Sequence, residues 1–427
     1  MSLPAAILEA YNGILAEELM VAMGCTEPIA IAYGASIARA TLGQEPEQIN
    51  IALSGNIIKN VKCVVVPATG GLRGIEAAVA AGIIANAPQL RLEVLSAITD
   101  DNRSCIKPFM ERCRFTVEEM VTDCTFDLLL TAAAAESCCR VHIQQYHTNV
   151  VLVDLNGQDL TPQYLDTLQR HERRSYDRSL LNVRDIVTFA QEAPLDAVAP
   201  LLQRQADMNM AIAREGLSGE YGAGIGQVLY RGGQASLRDK ARALAAAGSD
   251  ARMSGCEMPV SIISGSGNQG ITASVPVVVY AQAMGADNEK LLRAIALSDL
   301  ITIHQKTGIG CLSAYCGAIS AGCGCGCGIC FLEGGGFYEI AHTLVNAVAI
   351  LSGTICDGAK PSCAAKIAMA VEAGIMGYEM MKAGRQFYGG DGIITKGVEN
   401  TIRNIGRLAR DGMSQTDKEI IQIMLGS

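Results

Sequence analysis

Cysteine is the residue type in this chain best suited to chemistry. Sixteen occur in 427 residues, and eight of them fall between Cys311 and Cys363. The densest run is Cys323-Gly-Cys325-Gly-Cys327-Gly-Ile-Cys330. Soft thiolates select zinc, copper or an iron–sulfur cluster, so the run reads in one way as a metal cage. It also reads as packing, because cysteine is small and readily buried; on a helix Cys323, Cys327 and Cys330 share one face and Cys325 points away. Packing is the preferred reading, and the cage stays open. Cys316, Cys356 and Cys363 form a sparser set, each beside a turn residue or a helix start, in AYCGA, TICDG and PSCAAK. Breaks of this kind can aim three thiolates at one centre, although separations of 40 and 7 residues match no ferredoxin pattern.

Other chemistries lack their parts. There is no GxxxxGK[ST] loop, no HExxH and no GxSxG elbow. The histidines, His142, His147, His171, His304 and His342, show no ligand spacing, so surface or hydrogen-bonded roles are expected. A net charge of −9 provides no basic face, which argues against nucleic acid and anionic membrane as partners. The first twenty residues carry Glu9, Glu17 and Glu18 where an export signal carries Lys or Arg, and so read as an amphipathic helix. A reducing, cytoplasmic setting follows, in which cysteines serve metal, catalysis or burial and not disulfides. The uncharged run Cys311 to Leu332 is rich in glycine and lacks basic flanks, which suits a buried core helix better than a membrane span.

The elements that must position these residues change texture along the chain. Residues 5–42 read as helix, broken at Gly24-Cys25-Thr26-Glu27-Pro28. Strands are expected at INIALSG, VKCVVVPAT, LRLEVLS, CRVHIQQYH and NVVLVDLNG, with helices at 74–87 and 105–112. From about Ser179 the pattern is helical, at 185–215, 234–247, 270–284, 288–305, 312–332, 337–355, 362–383 and 395–411. The expected fold class is α+β: a helical C-terminal domain (181–427) joined by the N-terminal helices (1–44), with an inserted α/β domain (45–180) whose edge covers the substrate pocket.

Motifs along nearly the whole chain carry a family resemblance. They are GCTEP at Gly24–Pro28, SGNIIKN at Ser54–Asn60 followed by VPATG, HTN at His147–Asn149, EGLSG at Glu215–Gly219 and SDARM at Ser249–Met253. They continue with SGSGNQGITA at Ser264–Ala273, KTGIGCLSAYCG at Lys306–Gly317, ICDGAKPSCAAK at Ile355–Lys366 and the tail GMSQTDKEIIQIM. In this order the chain resembles the L-cysteine desulfidases of the UPF0597 group, which are related to the α chain of iron–sulfur L-serine dehydratases. The resemblance implies a PLP-independent α,β-elimination of L-cysteine to pyruvate, ammonia and sulfide, dependent on a [4Fe-4S] cluster. It implies Cys316, Cys356 and Cys363 as cluster ligands, with Cys25 as a fourth ligand or a catalytic thiol. Against the family pattern the cysteines at 323, 325, 327 and 330 are departures, which strengthens the packing reading. Cys311 stands where a basic residue is common.

Elimination needs a base for the Cα proton. The candidates are Cys25, whose thiolate a helix N-terminus favours, and Lys306, whose pKa burial lowers; alternatively Cys25 is only a ligand and Lys306 pairs with an acid such as Asp299. The substrate's carboxylate and ammonium need fixed partners. SGSGNQG opens a helix, so its backbone N–H groups can meet an anion, with Ser264, Ser266, Asn268 and Gln269 as further donors. Asn56, Lys59 and Asn60 either add donors or cap a turn. Glu27 either meets the ammonium or is a first-turn acid. Asp250 and Arg252 read as a structural ion pair. L-Serine dehydration and a non-catalytic thiolate-rich metal or redox protein are the rival functions; the partner is a small amino acid, and a homodimer is left open.

Overall fold

The computed structural model describes residues 3–168, 176–230, 235–310 and 312–426, and its fold is α+β. Cys311 and His171 lie outside the described residues. The N-terminal helical pattern resolves into α1 (Ala5–Glu18), a short strand β1 (Val21–Met23) and α2 (Thr26–Leu42). Gly24, at φ 74°, turns the chain between β1 and α2, and a side chain there would strike Pro67.

A six-stranded mixed sheet follows, in the order β3-β2-β4-β5-β6-β7. Its strands are β2 (Gln48–Ser54), β3 (Arg114–Met120), β4 (Asp127–Ala134), β5 (Ser137–Gln144), β6 (Val150–Leu155) and β7 (Gln158–Asp159). Only β2 and β3 pair in parallel. Between β2 and β3 lie α3 (Gly55–Val61), α4 (Gly74–Ala85) and α5 (Ile106–Arg112). Two expected strands take other forms. VKCVVVPAT completes α3 and then loops, with a single bridge from Val65 to Arg73; Pro67 has no N–H to give a ladder. LRLEVLS lies in a 3₁₀ segment, Pro88–Ala97, which buries Leu92, Val94 and Leu95 without needing a strand partner. Conversely, β3 and β4 lie outside the expected strands: β3 is a charged, exposed edge, and β4 is rich in Leu and Ala, which carry little strand preference.

The remaining regular structure is helical apart from β8 (Pro259–Ser261), which pairs antiparallel with β1. The helices are α6 (Val183–Glu192), α7 (Ala199–Ser218), α8 (Leu237–Met253), α9 (Gly267–Met284), α10 (Asn288–Ile309), α11 (Gly317–Leu332), α12 (Phe337–Ile350), α13 (Cys363–Lys382), α14 (Val398–Arg407) and α15 (Ser414–Leu425). The expected helix 185–215 is two, because Pro194 cannot continue the first. The N-terminal helices divide between the two halves: α1 meets α10, whereas α2 packs against α4, β4 and β5. The sheet's apolar face needs a cover, and the fully buried Ile29, Ile31, Tyr33 and Ile37 of α2 supply it.

α11 is the centre of the helical half, touching α9, α10, α12 and α13. Every second residue from 322 to 328 is glycine, and a side chain at any of them would strike a neighbouring helix: Ala370 at Gly322, Ser298 and Thr302 at Gly324, Gly374 at Gly326, Ala294 and Val277 at Gly328. The intervening Cys323, Cys325, Cys327 and Cys330 are buried. The Cys325 Sγ donates to the Gly322 carbonyl at 3.1 Å and the Cys327 Sγ to that of Ile340 at 3.7 Å, so these thiols are spent within the helical core. No described helix is long and apolar enough to cross a membrane.

Candidate active site

Three cysteines stand at helix starts. Cys25 is the N-cap of α2, Cys316 is the N-cap of α11, and Cys363 is the first residue of α13. Ser266, in the glycine loop, is the N-cap of α9. All four helix starts line a single cavity of about 110 Å³, which also receives Cys356. A helix start presents unbonded N–H groups and partial positive charge, so their convergence suits an anionic occupant.

Local pairing brings two of the thiols together. Cys316 N–H donates to the Thr354 carbonyl at 3.0 Å and Cys356 N–H to that of Ala314 at 2.6 Å, closing a bridge between Tyr315 and Ile355. The side chains then couple. Cys316 donates to the Cys356 sulfur, which, with Lys59 nearby, brings the Cys356 pKa down to about 6, while the thiol of Cys316 is pushed well above its ordinary range. Alkylation of Cys356 in cluster-free protein, followed by mass spectrometry, is therefore expected to titrate near pH 6. Cys316→Ala removes the donor and should move that titration upward; an unchanged profile would show that the bond does not set it.

Cys25 behaves differently from the expectation for a helix N-terminus. Burial, reinforced by the Glu27 carboxylate, raises its pKa well above the usual thiol value, and its Sγ donates to Glu27 Oε2 at 3.1 Å. Thus Cys25 rests as a thiol, since desolvation outweighs the helix end. Glu27 also accepts from Asn60 Nδ2 at 3.0 Å and Thr26 Oγ1 at 3.2 Å, and Thr26 bonds the Gly265 carbonyl at 2.7 Å. This network ties α2, α3 and the glycine loop into one wall.

The other anticipated residues are placed as follows. Lys59, Asn60, Ser264, Ser266, Asn268, Gln269 and Lys306 line the cavity. Lys306 Nζ donates to the Gly310 carbonyl at 2.6 Å. Asp299 is paired instead with Gln205 Nε2 at 3.0 Å, and burial raises its pKa well above the carboxylate range. Asn56 is not on the cavity wall: it bonds Asp417 of α15, which also holds Lys59 at 2.5 Å. The anticipated pair of Asp250 and Arg252 does not form. Asp250 accepts from Gly226 N–H at 2.9 Å, and Arg252 turns into the cavity, where its Nη1 donates to Asn268 Oδ1 at 3.1 Å.

Arg252 and His147 are among the cavity residues that sequence reasoning passed over. His147 is buried, with its ring 4.7 Å from that of Phe126; burial lowers its pKa, and its Nε2 has no hydrogen-bond partner among the described residues. The signals were the HTN and SDARM motifs, legible as patterns but not as cavity walls. Two glycines of the loop make room for these side chains. A Cβ on Gly265 would lie 2.8 Å from His147 Cε1, and one on Gly267 would run into the Arg252 guanidinium. The loop's glycines thus serve side-chain access as well as the backbone turn at Gly265, φ 73°.

Among the described residues no group of three His, Cys, Asp or Glu closes tightly enough to hold a single metal ion. Four thiols around a wider, helix-start-lined cavity fit a larger thiolate-bound centre, because a cluster spreads its ligands over several irons.

The arrangement is a thiol-lined cavity, and sequence comparison says to which family the chain belongs. A profile described as the serine dehydratase alpha chain matches residues 89–422. A UPF0597 protein of Desulfitobacterium hafniense is 53% identical over 417 residues, covering 98% of this chain and 96% of its own. UPF0597 proteins of Finegoldia magna and Treponema denticola are 44% and 41% identical, covering 97% and 100% of this chain and 99% and 100% of theirs. The chain belongs to the serine dehydratase alpha chain family, in its UPF0597 branch, and is a lyase of serine-dehydratase type.

Proposed function

We propose that the protein is a PLP-independent L-cysteine desulfidase, converting L-cysteine and water to pyruvate, ammonia and hydrogen sulfide. The observation that carries this reading is the meeting of Cys25, Cys316, Cys356 and Cys363 at one cavity from separate parts of the chain. Cys316, Cys356 and Cys363 would hold a [4Fe-4S] cluster, with Cys25 as a fourth ligand or a catalytic thiol, and the bound cluster would supply Lewis-acid polarisation of the substrate's β-sulfur.

The chain's own groups handle the rest. Elimination breaks the Cα–H and Cβ–S bonds, so a proton must leave Cα as sulfide departs. Cys25 is the proposed acceptor once its thiol proton has passed to Glu27, to which it is already hydrogen-bonded at 3.1 Å. Lys306 is the other candidate at the cavity wall. The helix starts of α9 and α11 stabilise negative charge without rearranging. Aminoacrylate released from the site hydrolyses to pyruvate and ammonia.

The serine dehydratase profile supports L-serine as a second substrate for the same machinery. All fifteen described cysteines are free thiols, which suits a reducing, cytoplasmic setting. The test is anaerobic reconstitution with iron and sulfide. About four irons per chain are expected, with equal release of sulfide and pyruvate from L-cysteine and a lower kcat/KM for L-serine. Turnover without iron would overturn the cluster assignment, and a kcat/KM higher for L-serine would make the protein a serine dehydratase.

A further inference from the structure

We infer that Arg252 is the residue that recognises the substrate's α-carboxylate, and that Lys59 is not. The assignment rests on the reading that a small amino acid occupies the cavity. It comes from following each charge to its partner. Lys59 is almost wholly buried, with its side chain 1% exposed, and is ion-paired with Asp417 at 2.5 Å. Asp417 belongs to α15, which docks on α3 through one face: Asp417 meets Asn56 and Lys59, Ile421 covers Gly55, and the Met424 carbonyl accepts from Lys62 Nζ at 2.5 Å. Positions 417, 421 and 424 are spaced to share that face. The charge of Lys59 is therefore satisfied from behind the cavity wall.

Arg252 is in the opposite situation. It is 2% exposed, its one hydrogen-bond partner among the described residues is the neutral Asn268, and its buried Nε has none. A buried guanidinium without a carboxylate is costly unless an anion completes it. Its planar fork matches a carboxylate, with two parallel N–H groups for two oxygens. The surroundings reserve space for that approach: Gly267 carries no side chain against the guanidinium, Asn268 orients it, and the N–H groups opening α9 face the same cavity. Glu27 and Arg252 both act electrostatically on Cys25 and on His147. An acid and a base flanking the same two side chains suit the two ends of a zwitterion.

Calorimetric titration of the holoprotein with two partial substrates tests this. One is 3-mercaptopropionate, which has the carboxylate and no ammonium; the other is cysteamine, which has the ammonium and no carboxylate. Arg252→Gln is expected to weaken 3-mercaptopropionate about 10- to 100-fold and to leave cysteamine unchanged. Arg252→Lys, which keeps the charge and loses the fork, should give a smaller, equally selective loss, and it serves alone if the glutamine variant does not fold. Equal weakening of both probes, or no weakening of 3-mercaptopropionate, would overturn the assignment, as would wild-type protein that binds neither. Selective loss in a protein that makes no sulfide or pyruvate would sustain the arginine and sink the desulfidase reading.

Discussion

Serine in place of Cys316, Cys356 or Cys363 is expected to leave protein that holds no cluster after anaerobic reconstitution and shows no measurable turnover. A serine hydroxyl is a harder, more weakly acidic ligand than a thiolate, so under the proposed cluster assignment each position would lose a metal bond and not merely a contact. Cys356 is the most exposed to this change, because the bond from Cys316 and the nearness of Lys59 already favour its thiolate. Cys325→Ser is the matched control. Cys325 is fully buried and donates to the Gly322 carbonyl, a bond a serine hydroxyl can also make, so iron content and the visible spectrum should persist. Iron and sulfide analysis with the visible absorption band separates the two classes. Iron retained at wild-type level in Cys363→Ser, or lost in Cys325→Ser, would move the centre from the cavity to the glycine–cysteine run.

The second large effect concerns folding. Gly374 of α13 lies against the backbone of α11: a Cβ there would overlap the Gly322 carbonyl oxygen and approach Gly326 N at 3.2 Å, while Gly322 and Gly326 are pressed in turn by Ala370 and Gly374. Backbone atoms of two packed helices cannot yield as a side-chain tip can. Gly374→Val is therefore expected to cost about 3 kcal/mol or more, read as a lower denaturant midpoint and reduced soluble yield. The same change should impair cluster retention, because α11 and α13 carry Cys316 and Cys363 at their N-termini and both move apart. Gly353→Ala is the contrast: among the described residues nothing lies within 4 Å of its added Cβ, and stability should stay within about 0.5 kcal/mol of wild type. A Gly374→Val protein as stable as wild type would mean that the helix crossing is not close-packed.

Local pattern was enough for most of the helical half, although the 185–215 segment divides and the short β8 is added, and for β2, β5 and β6, where periodicity and burial agree. It failed where neighbours decided. β4 is leucine- and alanine-rich, and only its place between β2 and β5 makes it a strand. VKCVVVPAT has strand composition, yet β2 already has β3 and β4 on its two edges, so no ladder position beside it is left. The cysteines, the glycine loop and the GCTEP break could be picked out as chemical parts from their types and settings. Arg252 could not, since an arginine two residues from an aspartate reads as a local pair.

What the sequence by itself determined is therefore local: about where the helices lie, that thiols stand beside turn residues and helix breaks, and that glycine alternates with cysteine along a buried helix. The tertiary structure decided which helix starts meet and which charges are left over. Asp417 pairs with Lys59 across 358 residues of chain, and Asn268 holds Arg252 without a countercharge. Charge neutralisation depends on what a third element brings alongside, so no spacing rule along the chain can reveal it.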